Sequence, residues 1–326
     1  MTLSPDIAHH AALDARLVAA VRGIRLLQTL SWPAQVEETF LAAWKIGRIH
    51  LPQVTYPRED FTEVRAELEA VTAGADPDHP LGRYLIATAE SWRIATRLLD
   101  VAGSHRLTAF STRLYGRPVE MLPGDGPTNL EAARHFIALA DDMDQELREI
   151  EPDAVMSAET LQALLQQDID AFFTGHRVEV QLDPGLIAKA AASPSRIRLR
   201  THTGFSEYDR DQLLVHEAFV HSLTGINGRE QPHLRSLARG APRTTATQEG
   251  LATFAELISG AMDIERMKRI SLRIVAIDMA ISGADFVQVF RFFLDAGQTP
   301  ADSFSSAQRV FRGAPTGGGA AFTKDT

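Results

Sequence analysis

The sequence predicts a predominantly helical α+β protein. Three observations predict it. Leucine- and alanine-rich stretches recur at helical spacing through the first half and again after residue 245, one short region alternates apolar and polar residues as strands do, and proline- and glycine-marked breaks punctuate the chain. With 326 residues, the chain is long enough for one large domain or two.

Taken in order, Leu13, Leu17, Val18, Val21, Ile24 and Leu27 share one helical face, and Trp32-Pro33 closes that run. Glu37 to Ile49 reads as a second helix, stopped before Pro52 and Pro57, and Phe61–Val71 and Leu81–Val101 as two more. Leu122-Pro123-Gly124-Asp125-Gly126-Pro127 is the clearest loop. It divides an N-terminal helical region, 1–122, from a second region, 123–326. Beyond it, Leu130, Ala133, Ile137, Ala140, Leu147 and Ile150 form a stripe ended by Pro152, and Leu161, Leu164, Leu165, Ile169 and Phe172 form the next.

Strand character is confined to Val178-Glu179-Val180-Gln181-Leu182 and Arg196-Ile197-Arg198-Leu199-Arg200. Between them Asp183-Pro184 reads as the start of a short helix over Leu186–Ala192, a crossover that permits parallel pairing, with hairpin-like pairing as the alternative. An edge of this small sheet would offer a place for an extended peptide.

Composition narrows the function. The absence of cysteine removes disulfides, thiolate nucleophiles, iron–sulfur clusters and every cysteine-based zinc site. A formal net charge of −9 argues against nucleic acid or a membrane surface as the partner. No apolar run approaches the ~18 residues of a membrane span, and Asp6, His9, His10 and Asp14 stand where a signal peptide would be apolar. The expected location is cytoplasmic.

The chemistry concentrates in Leu213-Leu214-Val215-His216-Glu217-Ala218-Phe219-Val220-His221, a helical segment that Ser206 and Asp209 are suited to cap. H-E-x-x-x-H is similar to the H-E-x-x-H of zinc peptidases, but with one residue more. In a regular α-helix, five residues leave the two imidazoles about 140° apart, so they would not converge on one ion. A π-bulge would return them to one face, whereas without it one histidine is buried and the other meets solvent. Thr245-Ala246-Thr247-Gln248-Glu249-Gly250-Leu251-Ala252 opens an alanine-rich helix with Phe254, Leu257 and Ile258 as its apolar positions. Glu249 in that helix would complete a His₂Glu zinc set, Gly250 would let two helices approach, and Glu256, on the same face, would either support a ligand or meet solvent.

These residues carry a resemblance. His216-Glu217 with His221, Asn227-Gly228 with Gln231-Pro232, and Thr245 with Thr247-Gln248-Glu249-Gly250-Leu251-Ala252 resemble the bacterial flavohemoglobin expression-modulating QEGLA-motif proteins. That family is in turn similar to the microtubule-associated tyrosine carboxypeptidases of animals. Leu114-Tyr115-Gly116-Arg117-Pro118, Arg309-Val310-Phe311-Arg312-Gly313 and Phe322-Thr323-Lys324-Asp325 extend the likeness over nearly the whole chain. The resemblance implies a zinc-metallopeptidase-like core within 123–326, one Zn²⁺ held by His216, His221 and Glu249, and Glu217 as general base. It also implies carboxypeptidase activity on the C-terminus of a peptide or protein. Relatives continue past the Phe-Thr-Lys-Asp stretch, whereas this sequence ends at Thr326.

An exopeptidase needs a cation for the substrate's terminal carboxylate, and Arg309, Arg312 and Lys324 are the candidates; otherwise they are surface charges beside a fraying end. The same residues would serve a zinc amidase acting on a non-peptide amide, or a regulatory zinc-binding protein without turnover. Elsewhere, His9 and His10 are expected in solvent, and His202 and His233 flank the motif. Tyr208 suits packing or an oxyanion, Asn227-Gly228 suits a turn, and Gly317-Gly318-Gly319 lacks the strand and helix of a phosphate loop.

Overall fold

Helices form where the leucine and alanine periodicity is strongest. In chain order they are α1 (Pro5–Val21), α2 (Leu26–Thr29), α3 (Ala34–Lys45), α4 (Thr62–Gly74), α5 (Pro80–Asp100), α6 (Leu107–Tyr115), α7 (Asn129–Leu147) and α8 (Ala158–Phe172). Three strands follow, β1 (Glu179–Asp183), β2 (Ala190–Ser193) and β3 (Arg196–Arg200). Then come α9 (Glu207–Leu213), a π-helix over Leu214–Ser222, α10 (Leu223–Glu230), 3₁₀ turns at Arg235–Ala238 and Pro242–Thr244, α11 (Thr245–Ser259), α12 (Ile264–Ile281), α13 (Phe286–Asp295) and α14 (Pro300–Phe311). The structure is a computed structural model and describes residues 4–147, 156–201 and 203–326. The predicted end of the α7 stripe, Ile150 and Pro152, lies outside the described residues, as does His202. The architecture is predominantly helical α+β, as the periodicity indicates.

Two departures have local causes. The single run expected over Leu13–Leu27 breaks after Val21, where Gly23, the poorest helix former short of proline, follows, and α2 is a separate short turn. The short helix expected over Leu186–Ala192 is instead a turn leading into β2. Alanine favours helix, but a segment this short cannot offset helix nucleation, and the free edge of β3 offers its backbone immediate partners. The sheet order is β1-β3-β2, with β1 parallel to β3 (Val180 opposite Ile197) and β2 antiparallel to it (Ala190 opposite Leu199).

The chain forms two compact units. The first comprises Met1–Ala19, Ala75–Leu85 and Gln145–Ile264; the second comprises Ala20–Gly74, Ile86–Asp144 and Glu265–Thr326. In the first, Leu161, Leu165 and Ile169 of α8 pack with Val178, Val180, Ile197 and Leu199 of the sheet region and with Phe205, Leu213 and Ala218. The same helix closes one sheet edge: Gln166 donates to Val178 O at 3.0 Å and accepts from Val180 N–H at 2.8 Å, while Gln162 donates to Val180 O at 2.8 Å. The Val178–Val180 part of the β1 edge therefore has its backbone groups taken up by side chains rather than left for an added strand.

The second unit is built on phenylalanine. Phe286, Phe290, Phe293, Phe304 and Phe311 are fully buried and pack with Trp32 and Phe40, with Phe40 and Phe290 edge-to-face at 4.9 Å between centroids. The residues expected at a fraying end are instead tied into this unit: Ala320 to Thr323 are buried, Ala321 N–H donates to Thr108 Oγ1 at 2.9 Å, and Thr323 N–H donates to Ser111 Oγ at 2.8 Å. Arg309 grips Asp325 through Nε at 2.6 Å and Nη2 at 2.9 Å. Among the described residues, no helix is long and apolar enough to cross a membrane.

Burial alone would raise the Asp325 pKa, but the charge of Arg309 and its two hydrogen bonds outweigh that and hold the carboxyl well below its usual range. A depressed pKa stabilises the fold fully above the unfolded value, about 3.9, and that contribution fades as the pH falls towards the folded one. Asp325→Asn is thus expected to cost about 1.5–3 kcal/mol near neutral pH, because the partly buried Arg309 loses the charge that its fork grips. Its deficit relative to wild type should shrink at about pH 3, as read from urea midpoints at both pH values.

Candidate metal centre

The motif segment begins at a strong stop. Ser206 Oγ accepts from Asp209 N–H while the Asp209 carboxylate accepts from Ser206 N–H, a reciprocal capping box that starts α9. Asp209 also takes Lys189 Nζ at 2.8 Å, which ties the helix start to the β1–β2 connection. After about two turns α9 widens into nine residues of π-helix, in which hydrogen bonds run from residue i+5 back to residue i; Leu223 N–H, for example, reaches Ala218 O.

That widening settles the five-residue spacing. Where a turn closes over five residues, His216 and His221 stand one above the other, and their rings meet edge-to-face at 4.7 Å between centroids. His216 is 6% exposed and His221 is partly buried. From α11, Glu249 Oε2 lies 3.5 Å from His216 Nε2 and 3.8 Å from His221 Nε2. All three donor atoms lie within 4.8 Å of one another.

The separations are informative. They exceed the 2.7–3.2 Å (about) of a hydrogen bond, so the groups are not gathered simply to bond each other. Donors about 2.0–2.1 Å from one tetrahedral zinc ion stand roughly 3.3 Å apart, close to the spacing seen. Two neutral imidazoles and one carboxylate are a borderline-soft set suited to zinc and leave one coordination position over. The residues fit the ion.

His216 is held from behind. Glu256, two turns after Glu249 on α11, is fully buried, and its Oε1 faces His216 Nδ1 at 2.5 Å. The carboxylate accepting the ring proton at Nδ1 turns the Nε2 lone pair towards Glu249. Gln212, one α-helical turn before His216, donates to the same Oε1 at 3.0 Å. Sequence reasoning did not single out Gln212, although its i, i−4 relation to His216 was a signal in plain view. Glu256→Gln keeps the volume but loses the acceptor charge, and should weaken zinc binding by about 10–100-fold in competition with a chelator. An unchanged affinity would show that Glu256 only packs.

Glu217, 7% exposed on the π-helix, lies beside His216 in the chain and is not among the three converging donors. Gly250 does not serve a close helix approach: a Cβ there would meet nothing within 4 Å. The close approaches are at Gly225, where a Cβ would lie 2.4 Å from the Pro194 ring, and Gly228, where it would lie 2.4 Å from the Leu237 carbonyl. Asn227-Gly228 is accordingly inside α10 rather than a turn, its glycine chosen for the 3₁₀ turn that crosses it. On α11 the expected apolar positions face out, with Phe254 55%, Leu257 58% and Ile258 69% exposed, while Ala252 and Glu256 face in. The helix is oriented by its buried carboxylate rather than by its large apolar side chains.

Arg309, Arg312 and Lys324 belong to the second unit. Tyr208 is exposed on α9 and does not pack, and His233 is exposed. His10 is buried rather than in solvent, stacked on His79 at 4.5 Å. Anchoring of the segment between α10 and α11 comes from a buried trio: Asp14 accepts from the Ser236 N–H at 3.1 Å and from its hydroxyl, and Tyr84 hydroxyl pairs with that hydroxyl at 2.9 Å.

The family model described as microtubule-associated tyrosine carboxypeptidase matches residues 38–326. No curated protein matches the chain.

Proposed function

Because the chain belongs to the microtubule-associated tyrosine carboxypeptidase family, we propose that it is a zinc-dependent carboxypeptidase that cleaves the C-terminal peptide bond of a peptide or protein, with tyrosine as the residue released. The single observation that supports this most is the convergence of His216 Nε2, His221 Nε2 and Glu249 Oε2 at metal-donor spacing on a π-helix and a facing helix. Bound zinc supplies Lewis acidity for the scissile carbonyl and a water acidic enough to ionise near neutral pH.

The protein's own groups do the rest. Glu217, next in the chain to the first histidine, takes the proton of the attacking water and returns it to the departing amine. Glu256 and Gln212 keep His216 in one tautomer and orientation, so that its Nε2 lone pair stays aimed at the donor cluster. Burial of His216 and Glu217 limits competing water.

The test is metal content together with hydrolysis of a peptide panel differing only in the last residue. One zinc per chain, release of C-terminal tyrosine in preference to other residues, and loss of turnover on chelation with recovery on zinc addition are expected. Zinc without turnover would support a regulatory metal-binding protein, turnover of non-peptide amides alone an amidase, and no zinc after growth in adequate metal would end the assignment.

A further inference from the structure

The segment 231–244 joins the two helices that carry the metal donors. It leaves α10, which continues the π-helix of His216 and His221, and it enters α11, which carries Glu249. Its course therefore sets how the histidine helix and the glutamate helix meet. Two groups from distant parts of the sequence hold it. Asp14 of α1 is fully buried, and its carboxylate accepts both the N–H and the hydroxyl of Ser236. Tyr84 of α5 meets the same hydroxyl at 2.9 Å, and the Arg243 guanidinium lies over the Tyr84 ring, 5.5 Å from its centroid. The held points bracket the segment. Ser236 and Leu237 belong to the 3₁₀ turn that crosses Gly228 of α10, where a Cβ would lie 2.4 Å from the Leu237 carbonyl. Arg243 belongs to the second 3₁₀ turn, in which Thr244 Oγ1 donates to Ala241 O at 2.9 Å and accepts from Ala241 N–H at 3.1 Å. From there α11 follows without a break and brings in Glu249. All of these residues lie in the first unit.

A donor set works only when its members are held within about 0.5 Å of the productive geometry, and connecting segments are the least constrained part of such a frame. Hydrogen bonds to a carboxylate are roughly twice as strong as neutral ones, and a buried carboxylate finds no water to exchange them for. We propose that Asp14 is a positioning residue for the metal centre. It is not one of the converging donors; through Ser236, and with Tyr84 and Arg243, it fixes the segment that sets Glu249 opposite His216 and His221. The residues matched to the family begin at 38, so α1 and Asp14 lie outside them, and this role is not carried over from that likeness. Its consequence for zinc rests on the metal-centre reading given above, whereas the anchoring itself is a property of the metal-free chain.

The experiment compares hydrogen exchange of the metal-free full chain in the wild type and in Asp14→Asn, which keeps the volume and gives up one of the two acceptors. Amides of 236–252 are expected to exchange about tenfold or more faster, with those of α8 and β1 unchanged. Zinc affinity, read by competition with a chelator, should fall by about tenfold or more. Tyr84→Phe removes only a hydroxyl, should show the same pattern at a few-fold, and takes the place of Asp14→Asn if that variant fails to fold by circular dichroism. Gln166→Ala, which frees α8 from β1 in the same unit, is the control for lost stability and should leave both readouts as in the wild type. Unchanged exchange over 236–252, faster exchange with unchanged zinc affinity, or an equal loss of affinity in Gln166→Ala overturns the proposal. A wild type that takes no zinc ends the peptidase reading instead; exchange, read without metal, then decides whether Asp14 fixes the segment, so the two failures are distinguishable.

Discussion

Glu217→Gln is expected to lower turnover of a susceptible peptide by about 10²–10⁴-fold while the protein still binds one zinc per chain. The amide has nearly the volume of the carboxylate, so the buried position is filled, but it cannot accept a proton from water. Glu217 is absent from the donor cluster, and for that reason metal content should not follow activity downwards. KM should change little, because the lost interaction is made in the transition state. The reading fails if the variant turns over near the wild-type rate, or if zinc is lost in parallel with activity.

The second large effect is on stability. Gly228→Ala places a methyl group 2.4 Å from both the carbonyl carbon and oxygen of Leu237 and 2.5 Å from Ala238 N. These are backbone atoms of the 3₁₀ turn, which cannot swing aside as a flexible side chain would. A cost of about 3 kcal/mol is expected, visible as a lower urea midpoint. Gly250→Ala is the contrast: it sits in α11 with open space around its Cβ position, and alanine there should stabilise by about 0.5–1 kcal/mol. Equal effects at the two positions would refute the packing account.

Much of this was legible in the residues because the relevant signals were local. Helical periodicity located both ends of α5 to within one residue and those of α4 and α8 to within three, and the Ser206–Asp209 box announced α9. The family stretches brought His216, His221 and Glu249 together before any geometry was known. What escaped was whatever depended on non-local partners. Ala190–Ser193 is helix-prone by composition and became a strand because β3 had a free edge. Gly228 looked like a turn because its reason lies in Leu237, and Glu256 was ambiguous because its partner, His216, is on another helix.

The widened turn at Leu214–Ser222 also makes this part of the chain a ruler. Removing one residue between the two histidines would yield the shorter peptidase spacing and permit an ordinary helix. Five residues around a widened turn and four around an ordinary one each advance by close to one full circle, so everything downstream would keep its phase relative to α9. Gly225 and Gly228 would still face Pro194 and Leu237. A segment of this kind counts turns rather than residues, so its homologues should keep the two histidines one turn apart whichever spacing they use.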